Sequence, residues 1–229
     1  MKSTSYNFKV VSGDTDGISF CKQNEEPFSE EEEFELLNEF NKRMKEKIKW
    51  ESEGQTQRMI VLKAKNYILF DGKKIKYKGS AIKATSKQLA LKEFIKELLN
   101  AMLDGKYNFV DIYNKYVKEI MDVKDIKRWA TKKTISSKVL EGARKNEAII
   151  RDAINDSEYQ KGDKPYFYYK SDGKLNLVEN YNGDYDKDRL LQNLYDTATG
   201  TFETVIDPSL FVNYKLKRSK EALKQLLVS

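Results

Sequence analysis

Two carboxylates stand two residues apart in a short segment bounded by glycines. Asp14 and Asp16 lie between Gly13 and Gly17. In extended or turn backbone, side chains at positions i and i+2 leave the same face, so we expect both carboxylates on one face. Carboxylate oxygens suit a hard cation such as Mg²⁺, which commonly shares its ligands with substrate phosphates. Two such ions about 4 Å apart can activate a hydroxyl and stabilise a leaving pyrophosphate. An ordinary Asp-rich hairpin turn is the alternative interpretation.

The residue types that the chain lacks narrow the chemistry further. Its 229 residues contain no histidine and a single cysteine, Cys21. The absence of histidine excludes catalytic triads with an imidazole base and His-ligated metal sites. A single cysteine excludes internal disulfides and thiolate zinc sites, and it fits a reducing compartment. Carboxylates, amines and hydroxyls therefore remain for function.

Charge is unevenly distributed along a chain whose formal net charge is +6. Residues 23–39 contain eight Glu and no basic residue, whereas residues 58–92 contain ten Lys or Arg and the single acid Asp71. A second basic stretch, residues 127–145, has seven Lys or Arg against Glu141. Basic stretches with interleaved aromatic residues favour a nucleic-acid partner. Solvated surface lysines are the alternative.

Two β-hairpins are expected in the first third of the chain. Residues 6–11 and 18–21 have strand-like patterns, and the segment between them has the composition of a turn, which places both carboxylates at a hairpin tip. The second hairpin is predicted around Asp71-Gly72, because the runs on either side, 58–70 and 73–78, are rich in β-branched and aromatic residues.

Helices are expected after the hairpins. Ser29 and Glu32 have the spacing of a capping box, so we interpret the glutamate run as the start of a helix, with a metal site as the alternative. Helical periodicity continues over about 86–103 and 108–121. Later segments mix short strands with helices, the strands at 166–169 and 175–178 and the helices near 137–155, 187–198 and 217–227. The predicted fold class is therefore α+β, with a domain boundary near Gly105. The chain contains no run of about 18 apolar residues, so the sequence predicts no membrane span.

Four segments of the chain resemble motifs of one enzyme family. Residues 10–20 read Val-Val-Ser-Gly-Asp-Thr-Asp-Gly-Ile-Ser-Phe, which resembles the strand–turn–strand metal motif of family B DNA polymerases, usually Tyr-Gly-Asp-Thr-Asp-Ser. Lys63-Ala-Lys-Asn-Tyr67 resembles that family's Lys-x-Tyr motif, and Lys76-Tyr-Lys-Gly79 resembles its Ile-Lys-Gly segment. Gly162-Asp-Lys-Pro-Tyr166 resembles the Gly-Asp-x-Val-Pro-Tyr strand of the thumb. The matches occur in the family's order, and the resemblance covers essentially the whole chain.

The resemblance implies a fold and a set of site residues. It implies the C-terminal part of a palm over residues 1–104, with the metal-binding and primer-contacting hairpins, and a mainly helical, duplex-binding thumb over residues 105–229. Asp16 resembles the metal ligand of the turn, and Asp14 its less direct companion. Lys65 with Tyr67 resembles the pair that holds the primer end, and Lys78 with Gly79 resembles the segment that tracks the primer backbone. The expected DNA-binding set also includes Lys63, Lys76, Arg128, Lys132 and Lys133.

Other parts of the family pattern are not found in this sequence. The family's second metal-binding Asp, its nucleotide-binding helix and its proofreading motif all precede the Asp-Thr-Asp turn. Asp207-Pro-Ser-Leu-Phe211 is superficially similar to the first of these, but it lies at the wrong end of the chain. Ser12 replaces the usual Tyr of the turn motif and Gly17 the usual Ser, and neither change removes a carboxylate.

The sequence therefore predicts the C-terminal subunit or fragment of a split DNA-directed DNA polymerase. An N-terminal polymerase chain would supply the exonuclease, the fingers and the rest of the palm, and the two chains would share a two-Mg²⁺ site for primer–template DNA and dNTP. The alternative is a non-catalytic, thumb-like module that binds DNA without sequence preference.

Two expectations concern the setting of the protein. A chain rich in Lys, Asn and Tyr with a split gene favours a viral replication protein that acts in the cytoplasm of a host cell. The apolar segment Ala222–Leu227 is compatible with docking on a sliding clamp, and a terminal packing helix is the alternative.

Overall fold

The computed structural model describes residues 8–13, 17–45, 47–63, 65–79, 88–218 and 221. In these ranges the chain is α+β, with helices and three small antiparallel sheets. Contacts divide the chain into two units, Met1–Gly79 and Ser80–Ser229. The helix over 89–103, which we expected in the first domain, therefore belongs to the second unit. The functional division into palm and thumb parts at residue 104 stays a prediction.

The first unit begins with the expected hairpin. Strand β1 (Phe8–Gly13) pairs antiparallel with β2 (Ile18–Lys22), and a bulge lies between Val10 and Ser12. Gly13 stands opposite Ile18 across the ladder. The antiparallel pairing of β1 with β2 confirms the first predicted hairpin.

Helix α1 (Glu30–Lys42) follows and has the predicted capping box. The Ser29 hydroxyl accepts a hydrogen bond from the Glu32 backbone N–H at 3.2 Å, and the Glu32 carboxylate accepts one from the Ser29 N–H at 2.8 Å. Glu32 also forms an ion pair with Lys22 of β2, at 2.6 Å between Nζ and Oε2. The rings of Phe20 and Phe40 meet edge to face with centroids 6.0 Å apart. Polar and aromatic contacts thus hold α1 against the hairpin.

A three-stranded sheet completes the first unit. Its strands are β3 (Arg58–Lys63), β4 (Asn66–Phe70) and β5 (Ile75–Lys78), in the order β3-β4-β5. The Asp71-Gly72 turn joins β4 to β5, which confirms the second predicted hairpin. The strand-rich run 58–70 is in fact two strands, with a turn at Lys65 between them.

Three long helices form the main core of the second unit. Helices α2 (Leu89–Leu103) and α3 (Phe109–Met121) pack against α7 (Lys187–Phe202). The buried faces of the three helices bring large side chains together, among them Phe94, Tyr113, Tyr116, Leu194 and Phe202. These helices confirm the three predicted from periodicity, although α7 continues four residues beyond the predicted end.

Shorter elements lie between α3 and α7. They are α4 (Ile126–Trp129), β6 (Thr131–Lys132), α5 (Ser137–Glu141), α6 (Lys145–Ile154), β7 (Tyr166–Tyr169), β8 (Leu175–Leu177) and a 3-10 turn (Val178–Asn180). The strands form an antiparallel sheet in the order β6-β7-β8, and Phe167 and Leu177 of this sheet join Ile150 and Ile154 of α6 in a second apolar cluster. A further 3-10 turn (Pro208–Leu210) and a helical turn at 214–218 follow α7. Over the ranges that the structure describes, no helix has the length and apolar character to cross a membrane.

Candidate nucleic-acid interface

The turn between β3 and β4 gives Lys65 an unusual backbone conformation. Lys63 stands opposite Asn66 in the ladder, and Lys65 occupies the turn with φ +59°. A residue with a Cβ pays about 1–2 kcal/mol for this left-handed region, which Gly or Asn more commonly fills. Strain of this kind persists where the surrounding structure over-determines it, and functional sites are the places where it concentrates. The exposed Lys65 side chain is thereby presented at the end of the sheet.

Gly79 lies so close to the Lys65 turn that there is no room for a side chain at position 79. It follows β5 with φ +102°, and a Cβ placed there would overlap the carbonyl oxygen of Lys65 and the side chain of Asn66. Asn66 is itself buried. The Lys-x-Tyr and Lys-Gly segments, which are separate in sequence, therefore meet in space with Gly79 directly against the backbone of the Lys65 turn.

One face of the three-stranded sheet presents an aromatic residue with two lysines. Tyr67 of β4 pairs with Lys78 of β5, and Leu69 pairs with Lys76. Residues directly opposite each other, or two apart along a strand, share a face. Tyr67, Lys76 and Lys78 therefore lie together on what we call the lysine face, where Val61 of β3 continues the Tyr67 row and is 42% exposed.

The other face of this sheet is apolar. Ile68 is completely buried, and it pairs with Ile60 on one side and with Tyr77 on the other. Burial raises the pKa of the Tyr77 hydroxyl. The strand alternation thus separates a packed face from the face that carries Lys76 and Lys78, which also includes the apolar Val61 and Leu69. This arrangement allows the sheet to contact a polyanion on one side only.

The lysines of this region are available to an anion. Lys78 meets Glu53 at 3.4 Å between Nζ and Oε2, with side chains 41% and 84% exposed. Exposed pairs of this kind contribute about 0–1 kcal/mol, so phosphate can replace the carboxylate at little cost. Lys65 and Lys76 form no ion pair with a carboxylate of the described residues. Lys63 is half-buried at the bulge of β3 and likewise has no such pair.

The acid of this basic stretch is held in its own turn. Asp71 accepts hydrogen bonds from the backbone N–H groups of Lys74 and Lys73, at 2.7 and 2.9 Å. These bonds lower the pKa of the Asp71 carboxyl. Asp71 therefore stays ionised at the β4–β5 turn, at the opposite end of β5 from Gly79.

The carboxylates of the first hairpin lie outside the described residues. This applies to both Asp14 and Asp16, and it applies also to Ala222–Leu227, the segment considered for clamp docking. Within the described part of the chain, no three Asp, Glu or Cys side chains cluster as a metal site. What the structure does describe is the frame of the hairpin, in which Gly13 and Ile18 bring the two ends of the Asp-Thr-Asp loop together.

In the second basic stretch, Arg128 is engaged within the protein. Its guanidinium donates hydrogen bonds to the carboxylates of Glu93 and Glu119, and these contacts raise its pKa, with the Glu93 bond as the largest cause. Glu119 also accepts a hydrogen bond from the indole N–H of Trp129, at 2.9 Å. Trp129 is completely buried, so it is a residue of the core. The expected role of Arg128 in DNA binding stays a prediction. Two of its N–H groups already bind carboxylates of the protein.

Lys132 and Lys133 lie on and directly after β6. Lys132 is exposed, and its Nζ lies 5.3 Å from the centroid of the Tyr166 ring on β7. The backbone N–H of Lys133 donates to the carbonyl of Pro165 at 3.1 Å. Lys127, which the expected DNA-binding set omitted, approaches the same tyrosine ring at 5.1 Å. In the sequence, the position of Lys127 at the start of the second basic stretch indicated that it could bind DNA. No sequence signal indicated its contact with Tyr166.

Comparisons with known proteins identify no relative for this chain. It matches no known protein family, and no curated protein resembles it closely enough to count as a match. The resemblance to family B DNA polymerases therefore stays a prediction that rests on the four sequence motifs.

Proposed function

We propose that the chain is the C-terminal part of a split DNA-directed DNA polymerase and that it grips primer–template DNA with the lysine face of its first unit. One observation carries the proposal. The Lys-x-Tyr and Lys-Gly segments pair across β4 and β5, with Tyr67 opposite Lys78 and Gly79 against the Lys65 turn. Lysines neutralise backbone phosphates without reading the sequence, and a neighbouring aromatic ring supports contact with a sugar or base.

The first hairpin would contribute the carboxylates of this active site. In the sequence, Asp14 and Asp16 lie between Gly13 and Ile18, which pair across the β1–β2 ladder, and carboxylate oxygens are of the type that Mg²⁺ prefers. Bound Mg²⁺ would stabilise the negative charge on the attacking 3′ oxygen and on the leaving pyrophosphate. Two carboxylates do not complete a two-metal site, so the third would come from an N-terminal chain that also brings the fingers and the exonuclease. The assembly would replicate viral DNA in the cytoplasm of a host cell.

A non-catalytic DNA-binding module is the second candidate. The structure describes an exposed sheet face with lysines, and it describes a cluster of lysines around a tyrosine ring in the second unit. Both features support binding, and neither supports catalysis. The two candidates differ in whether Asp14 and Asp16 matter. A binding module would keep its full activity without them.

DNA titration tests the grip on DNA. We expect K76A/K78A to weaken binding of a short duplex and to flatten the salt dependence by about 0.9 per lost phosphate contact. K73A/K74A is the matched control, because it removes the same charge from the other end of the same hairpin. Equal loss in the two variants would show that net charge, and not the lysine face, holds the DNA.

Single-nucleotide incorporation tests catalysis. With the N-terminal chain present, Asp16→Ala should abolish incorporation while DNA affinity stays at or above that of the unchanged protein, because removing an acid does not weaken phosphate binding. Asp14→Ala should slow the reaction less. Incorporation near the unchanged rate in Asp16→Ala would leave the binding module as the function.

A further inference from the structure

Two ammonium groups converge on one tyrosine ring in the second unit. The Nζ atoms of Lys127 and Lys132 lie 5.1 and 5.3 Å from the centroid of the Tyr166 ring. The two Nζ atoms are therefore no farther apart than the sum of these two distances, and both lie within cation–π distance of the same ring. We call these three side chains the Tyr166 cluster.

The fold places the cluster firmly. Asp125 caps α4 by accepting a hydrogen bond from the Lys127 backbone N–H at 3.0 Å, and α4 packs against β7. Lys132 stands directly opposite Tyr166 in the β6–β7 ladder. The next residue, Phe167, is buried in the apolar cluster behind the sheet, so alternation turns Tyr166 to the other side. The three side chains come from three different elements, yet each is positioned by backbone contacts.

The charge of the cluster is uncompensated among the described residues. Neither lysine forms an ion pair with a carboxylate there, and Asp125 is engaged as the cap of α4. The electron-rich face of a tyrosine attracts cations, but it cannot neutralise them. Like charges held near each other repel, and an anion that bridges them removes that repulsion.

We propose that the Tyr166 cluster is a second nucleic-acid contact, in which Lys127 and Lys132 bind a backbone phosphate and the Tyr166 ring keeps their ammonium groups together. Nucleic acid is the ligand that the charge favours, because the cluster lies in a basic stretch with net charge +6 over residues 127–145. Arg128 is not part of the site, since its guanidinium is already bound to Glu93 and Glu119. The inference rests on the proposed DNA-binding function and adds a contact within the second unit alone.

Binding of a short duplex DNA by the full chain tests the cluster. K127A/K132A should bind about 10-fold more weakly at low salt, and the slope of log K against log salt should flatten by about 0.9, the contribution of the one phosphate contact that is lost. K96A/K118A is the matched control, because it removes two exposed lysines from helices α2 and α3 of the same unit. K96A/K118A should change this slope by less than half of the change that K127A/K132A causes.

Substitution of the ring separates its role from that of the lysines. Tyr166→Phe keeps the ring and should bind as the unchanged protein does, whereas Tyr166→Leu should weaken binding several-fold although both lysines remain. Thermal unfolding of each variant shows whether the second unit is intact. If Tyr166→Leu unfolds, the lysine pair alone decides the question.

The possible outcomes distinguish this inference from the proposed function. If K127A/K132A binds DNA as tightly as K96A/K118A does while K76A/K78A binds weakly, the Tyr166 cluster is not a phosphate site and the lysine face stands. If the unchanged chain does not bind DNA at all, both proposals fail. If it binds polyglutamate and not DNA, and K127A/K132A loses that binding, the cluster serves an acidic protein and the nucleic-acid assignment is overturned.

Discussion

Gly79→Ala tests the close contact that joins the two DNA-binding segments of the first unit. At φ +102° a residue with a Cβ is strained by about 1–2 kcal/mol. The new methyl group would also overlap the Lys65 carbonyl and the buried Asn66 side chain. The Lys65 carbonyl is part of the backbone of the β3–β4 turn, so it cannot retreat without moving that turn. Forced overpacking of this kind costs about 1–3 kcal/mol. The two effects together predict a loss of about 2–5 kcal/mol.

Amide hydrogen exchange measures this loss in the sheet itself. Where the β4 amides exchange through local opening, a loss of about 2–5 kcal/mol makes exchange roughly 30- to 4,000-fold faster. Gly54→Ala is the control, because Gly54 lies in the same unit at φ +91° with no atom within 4 Å of the added Cβ. Alanine at position 54 would have the same kind of backbone strain, but its methyl group would overlap no other atom. Equal exchange rates in the two variants would refute the argument that Gly79 is required by contact with the Lys65 turn.

Further changes test individual contacts. Lys65→Gly should keep the stability of the sheet within about 1 kcal/mol, because glycine accepts the left-handed turn; duplex titration should nevertheless show weaker DNA binding. The Lys22 ammonium and the Ser29 N–H lower the pKa of Glu32 from its ordinary 4.5, so this contact stabilises the fold above that pH and is lost as the pH falls through the lowered pKa. Glu32→Gln should therefore speed amide exchange in α1 at neutral pH and make its exchange less sensitive to acid, and an unchanged acid response would contradict this. Arg128→Ala leaves two carboxylates without their cation and should destabilise the second unit by about 1–3 kcal/mol in urea unfolding; no loss would show that the ion pairs contribute nothing.

Local signals in the sequence determined several elements outright. The Ser29 and Glu32 pair predicted the start of α1 because a capping box satisfies backbone donors within four residues. Asp71-Gly72 predicted the β4–β5 turn because Gly72, at φ +94°, adopts a conformation that glycine enters freely. The apolar faces of α2, α3 and α7 repeat at helical spacing, so periodicity alone found them.

Tertiary structure alone decided the turn at Lys65. Nothing in the local sequence favours a left-handed lysine, and the run 58–70 has the composition of strand throughout. Tyr67 comes to lie opposite Lys78 because β4 pairs with β5 in one particular register. The register depends on which face of the sheet is buried, and here it is the face with Ile68. No short stretch of sequence shows which face of a strand will be buried.

The same limit applies to the charges of the second basic stretch. Arg128, Lys127 and Lys132 look alike in sequence as members of one cationic run. The fold brings Glu93, 35 residues away, to Arg128, and it brings Tyr166 to the two lysines. Charge counting found the basic stretch because charge is a property of composition. Which cations are left for a ligand depends on partners that are distant in sequence, and only the folded chain brings those partners together.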